Sequence, residues 1–142
     1  AAGIVFQEPG LDGKLTAGRL LLAQTLAAAD SFAAAEAEYR QVVAAEPHNA
    51  RALGGLAWCR LRRADYGEAA RLYRAATEAE PGNAEAWAGL GNAELGGGHL
   101  DAAGQALRRA RELDPNNAAM KKGLELLEQA RRAPGQEGSA RE

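Results

Sequence analysis

The chain of 142 residues is long enough for one domain with its own core and short for two. Its net charge of -2 at pH 7 gives no basic field for nucleic acid or an anionic membrane surface. No apolar stretch approaches the ~20 residues that span a bilayer, and the lone cysteine, Cys59, excludes an intrachain disulfide. Alanine fills 35 positions and aromatics only 5%, with few Val, Ile and Thr beside many Leu, Glu, Arg and Gln. That composition favours helix and disfavours strand along the whole chain. The start at Ala1, without Met or a leader-like charged and apolar run, is what a processed protein or excised fragment would show. Neither the single thiol nor the excess of arginine over lysine indicates a compartment.

Residues 1–15 carry the apolar trio Ile4-Val5-Phe6, then Pro9-Gly10 and Gly13, a turn signal. They are expected to be a cap over the first helix or a linker; the alternative is a docking peptide for a second copy. Three ungapped units of 34 residues follow, at 16–49, 50–83 and 84–117. Each ends with a proline two residues before an asparagine, at Pro47, Pro81 and Pro115. Apolar residues recur in register at Leu22, Leu56 and Leu90, and small ones at Ala23, Ala57 and Gly91. Ala35, Ala69 and Ala103 repeat, as do Tyr39, Tyr73 and Leu107.

Every unit therefore predicts two helices. The first starts at its opening Asn or Thr, and the second near Ser31, Asp65 or His99. Proline lacks the donor a continuing helix needs and disfavours helix in the residue before it, so each second helix stops there. Asn49, Asn83 and Asn117 are placed to cap the following helix, and Asp65 with Glu68 has capping-box spacing. The small residues let paired helices approach closely, while Tyr39 and Tyr73 fill the space between units. Residues 118–132 read as one more helix, and 133–142 as a disordered tail.

In these positions the sequence resembles the tetratricopeptide repeat (TPR) family. The third unit matches the family pattern at Trp87, Leu90, Gly91, Ala103, Leu107, Ala110 and Pro115, departing at Glu94. The second matches at Leu53, Leu56, Ala57, Ala69, Tyr73, Ala76 and Pro81, with Arg60 at the departing position. The first has Arg19 where Trp would sit, then Leu22, Ala23, Leu26, Ala35, Tyr39, Val43 and Pro47. The resemblance implies an all-α fold, an α-solenoid of antiparallel helical hairpins, with a concave wall built from first helices. It implies a non-enzymatic scaffold that holds a peptide or amphipathic helix of a protein partner.

Carried over position by position, that wall includes Leu20, Gln24, Arg51, Trp58, Leu61, Arg62, Glu85, Asn92 and Leu95, the candidate partner-binding residues. Arg51, Gly55, Trp58 and Arg62 share one helix face. Trp58 is expected to stand over a floor bared by Gly54, Gly55 and Gly89, an aromatic anchor flanked by arginines. A core tryptophan wedging two units is the other reading. Glycine in mid-helix costs about 1 kcal/mol against alanine, so close approach of a ligand, or crowding by a neighbour, must justify it. The Lys/Asn/Asn/Lys/Arg clamp of relatives that hold chaperone tails maps onto Leu20, Gln24, Gly55, Glu85 and Gly89, which offer no cation to a carboxylate.

Catalytic chemistry has no constellation. Gly96-Gly97-Gly98 lacks the Lys and Ser/Thr of a phosphate loop, and His48 and His99 read as loop or cap residues. Cys59 has no His within a turn, and reads as an inert thiol. Glu36/Glu38, Glu78/Glu80 and Glu125/Glu128 read as solvated faces. Neither a cofactor nor a metal is indicated. The arginine clusters lack the interleaved aromatics that stack bases. The alternative to a peptide-binding module is a structural or oligomerisation segment of a larger assembly, with envelope machinery of bacteria as one setting, self-associating through residues 1–15.

Overall fold

The computed structural model describes residues 9–133, with side chains from Lys14 onward, so Ile4-Val5-Phe6 and the tail from Pro134 lie outside the described residues. Seven helices occupy them: α1 (Pro9–Ala28), α2 (Phe32–Ala45), α3 (Ala50–Arg62), α4 (Tyr66–Ala79), α5 (Ala84–Gly96), α6 (Leu100–Leu113) and α7 (Ala118–Arg131). Helix α1 begins at Pro9, well before Thr16, so the Pro-Gly pair opens a helix where a turn was expected. A first-turn proline sacrifices no hydrogen bond, because that N–H has no partner in the helix anyway.

The asparagine caps form as expected. Asn49, Asn83 and Asn117 accept from the backbone N–H of Ala52, Ala86 and Met120 at 3.0, 3.1 and 2.8 Å. The capping box does not. Asp65 makes no cap bond; it pairs with Arg60 at 3.1 Å, and Glu68 turns instead to Arg71. Salt bridges to neighbouring arginines outcompete the weaker backbone contacts at these exposed ends.

Each hairpin closes on its small residues. Ala23, Ala57, Ala35, Ala69 and Ala103 are fully buried, and a Cβ on Gly91 would lie 2.5 Å from Leu107 Cγ. Successive hairpins interlock through a large side chain seated on a glycine. Tyr39 covers Gly55, Tyr73 covers Gly89, and Leu107 covers Gly123, each pair repeating after 34 residues. A Cβ on Gly55 or Gly89 would stand 2.2 or 2.3 Å from a tyrosine ring carbon. These two glycines are therefore sockets for the preceding unit, which corrects the expectation that they leave room for a ligand. Gly54 has nothing within 4 Å and remains open.

The departures from the family pattern at Arg60 and Glu94 become ion pairs between units. Glu36 on α2 is 2% exposed and meets Arg63, Arg40 and Arg60 at 3.1, 3.4 and 3.5 Å. At the next interface the signs invert: Arg74 on α4 reaches Glu94 on α5 at 3.0 Å, with His99 Nδ1 at 3.1 Å from the same carboxylate. Glu36 is thus buried and paired, not part of a solvated face, and His99 has a carboxylate beside it that sequence spacing did not suggest.

The first helices touch one another in order, α1 to α3 to α5 to α7, while α2, α4 and α6 touch only first helices or α7. Helices packed side by side on one flank and splayed on the other give a curved stack, with α1, α3, α5 and α7 on the inner wall. The first hairpin differs from its successors. Leu56 and Leu90 are 6% and 7% exposed, whereas Leu22, in the same register, is 47% exposed. Helices α3 and α5 have α2 and α4 against them; among the described residues α1 has no preceding helix.

Candidate peptide-binding groove

The inner wall centres on α3. Trp58 is 38% exposed, so it lies at the surface and is not a core wedge. Its orientation is held from two sides. Phe32 meets it edge-on with ring centroids 5.7 Å apart, and the Arg62 guanidinium carbon lies 5.8 Å from the ring centroid. Both geometries suit the electron-rich face and positive edge of aromatic rings. Seven residues earlier on the same face, Arg51 Nη2 donates to Gln24 Oε1 at 3.0 Å, linking α3 to α1.

Two hollows meet at Trp58. One, of 240 Å³, is lined by Gln24, Ala27, Ala28, Tyr39, Gly55 and Trp58. The other, of 300 Å³, brings Gln24, Arg51, Trp58 and Glu85 together, with Tyr39, Gly54, Tyr73 and Asn83 among its walls. Glu85 Oε1 accepts from Asn117 Nδ2 at 2.7 Å. Burial raises the Tyr39 hydroxyl pKa, and raises that of Tyr73 further, with Glu85 adding to the shift. Both phenols therefore keep their protons near neutral pH and can donate. Two larger hollows, of 470 and 420 Å³, involve the second helices of units two and three. Both are lined by Arg74 and Glu94, whose charges already satisfy one another.

The other candidate residues sit differently. Leu20 is 4% exposed and belongs to the core, because its side of α1 packs on the rest of the stack. Leu61 is half-buried against the core, and Leu95 packs beside Ala103, Leu107 and Leu127. Asn92 ties α5 to α7, its Nδ2 donating to the Ala119 carbonyl at 3.2 Å, while its Oδ1 is buried without a hydrogen-bond partner. These three support the wall without lining either hollow at Trp58. Tyr39, Tyr73 and Asn83 were missed as wall residues. The recurrence of Tyr sixteen residues before Gly, at 39/55 and 73/89, was the signal that could have found the tyrosines.

Cys59, behind this face, is fully buried. Burial and then the Glu36 charge push its thiol pKa up to about 11, against the pull of Arg63 and Arg60. It is a poor nucleophile. Among the described residues no three His, Cys, Asp or Glu side chains gather to hold a metal, and no helix is long and apolar enough to cross a membrane.

The register of hairpins, capped helices and glycine sockets agrees with comparison to known families. Two tetratricopeptide repeat models match residues 20–70 and 61–127. The chain belongs to the tetratricopeptide repeat family. Its fold is that of a TPR domain, three hairpins and a capping helix. No curated protein matches the sequence.

Among solved structures, an O-GlcNAc transferase variant of Thermobaculum terrenum is similar at 28% identity and a TM-score of 0.79, over 82% of this chain and 22% of that one. The Sgt2 TPR domain of Aspergillus fumigatus is similar at 26% identity and 0.73, over 86% and 79%. The first TPR of Spaghetti (RPAP3), solved bound to the HSP90 peptide SRMEEVD, gives 19% and 0.78 over 84% and 95%, a likeness of fold alone.

Proposed function

We propose that this TPR domain is a non-catalytic interaction module that holds an apolar segment of a protein partner on its inner wall. The observation that carries the reading is Trp58, a large aromatic side chain left exposed between two hollows of 240 and 300 Å³. Aromatic anchors in partly desolvated pockets dominate many interfaces. Phe32 and Arg62 hold the ring in place before a ligand arrives, which lowers the ordering cost of binding.

Solved TPR domains of the same fold in complex with HSP90 and HSP70 peptides support a peptide as the kind of ligand. The carboxylate clamp that the family resemblance suggests does not fit this chain. Of the corresponding positions, Leu20 is core, Gly55 and Gly89 are tyrosine sockets, and Gln24 and Glu85 carry no positive charge. Replacing Trp58 with Ala should abolish capture of a selected peptide ligand and leave helical content unchanged. Retained binding by that variant would remove the reading.

Exposed leucines favour a second reading, self-association through α1. Leu15, Leu21 and Leu22 are 53%, 63% and 47% exposed. Sedimentation equilibrium should then give a dimer that Leu15→Lys/Leu22→Lys converts to monomer; a wild-type monomer at high concentration would exclude it.

A further inference from the structure

On the inner wall, the residue four positions before the end of each first helix faces the second residue of the next one, always 27 positions later. At the first seam this contact is the Gln24–Arg51 hydrogen bond of 3.0 Å, and at the third it is Asn92 to the Ala119 carbonyl at 3.2 Å. The middle seam pairs Trp58 with Glu85, and no hydrogen bond joins them among the described residues. The first and third seams are thus closed by the protein itself. The middle one is open, and the 300 Å³ hollow lies there.

The open seam holds unused polar capacity of both signs. Glu85 spends one oxygen on the neutral Asn117, leaving the other without a partner among the described residues. Arg51 spends one nitrogen on the neutral Gln24 and meets no carboxylate there. Arg51 lies seven residues before Trp58, about 10 Å of helical rise, and Glu85 faces Trp58 across one helix spacing of about 8–10 Å, so the two charges stand about 14 Å apart. At ~3.3 Å per residue, an extended segment spans that gap in about four residues.

We infer that the seam between the second and third hairpins takes an apolar side chain against Trp58, flanked by an acidic residue on Arg51 and a basic residue on Glu85. This deepens the groove reading and rests on it. The charge pattern separates the ligand from an acidic tail, which Glu85 would repel, and from a basic segment, which Arg51 and Arg62 would repel.

The probes are four fluorescein-labelled decapeptides with a central Leu-Leu flanked by Asp and Lys, by two Asp, by two Lys, or by two Ser. Fluorescence anisotropy with the full chain should rank the Asp/Lys peptide first, about fivefold tighter than the others, as expected for partly exposed ion pairs. Arg51→Glu should promote the Lys/Lys peptide to first rank, and Glu85→Arg the Asp/Asp peptide. Both side chains are exposed, and circular dichroism of each variant checks that folding is intact. Binding that ignores the flanking charges but disappears in Trp58→Ala would overturn this inference and leave the groove reading standing. Failure of all four peptides to bind would overturn both.

Discussion

Gly89→Ala isolates the interlock between units. A Cβ at that position would stand 2.3 Å from Tyr73 Cε1 and Cζ and 2.7 Å from Cδ1. Carbon atoms prefer separations of about 3.5–4 Å, so ring or helix must move by more than ~1 Å. Tyr73 is 5% exposed and cannot swing outward. Overpacking of this kind costs about 1–3 kcal/mol, offset by about 1 kcal/mol of helix propensity gained, a net loss of roughly 0–2 kcal/mol. Gly54→Ala is the control, since nothing lies within 4 Å of its Cβ position. It should stabilise by about 1 kcal/mol, or roughly 2–4 °C in melting temperature for a chain of this size. Urea unfolding followed by far-UV circular dichroism measures both. In a Tyr73→Ala background the Gly89→Ala penalty should vanish, a non-additivity that marks direct contact. Equal stabilisation by Gly54→Ala and Gly89→Ala would refute the socket.

Asn49→Ala should cost about 1 kcal/mol by removing a formed cap, whereas Ser31→Ala, which loses no cap bond, should fall within about 0.5 kcal/mol of wild type in the same urea assay. Glu36→Gln leaves Arg40, Arg60 and Arg63 facing a neutral amide and should cost about 1.5–3 kcal/mol; Glu68→Gln, at an exposed pair, should cost about 0–1 kcal/mol. The folded Cys59 thiol keeps its proton up to about 11, against an ordinary 9.0. Its contribution to stability is therefore complete below pH 9 and lost as pH rises toward 11, and Cys59→Ser should flatten that decline in melting temperature. Native Cys59 should also resist iodoacetamide until the chain is unfolded.

The fold was legible because proline, asparagine and small residues act locally. A proline stops its helix whatever surrounds it, and Asn49, Asn83 and Asn117 cap the next one with their own side chains. Interactions between units were less visible. Gly55 and Gly89 looked like room for a ligand, because the tyrosines that fill them come from the preceding hairpin. Glu36 looked solvated because its partners Arg60 and Arg63 sit 24 and more residues away. On the wall, helical spacing correctly put Arg51 and Trp58 on one face. It could not separate Leu20 from its exposed neighbour Leu21, since which side of α1 is buried depends on how α1 lies on α2 and α3.

The most direct measurement follows the two indole N–H resonances of ¹⁵N-labelled protein during titration with the Asp/Lys peptide, with Trp58→Phe supplying the assignment. Trp87 Nε1 already donates to the Pro81 carbonyl at 2.8 Å, whereas Trp58 lines the open seam. Binding at that seam predicts a saturable shift of the Trp58 signal with the Trp87 signal nearly fixed. A saturating titration that leaves Trp58 unmoved would place the partner elsewhere and contradict the account.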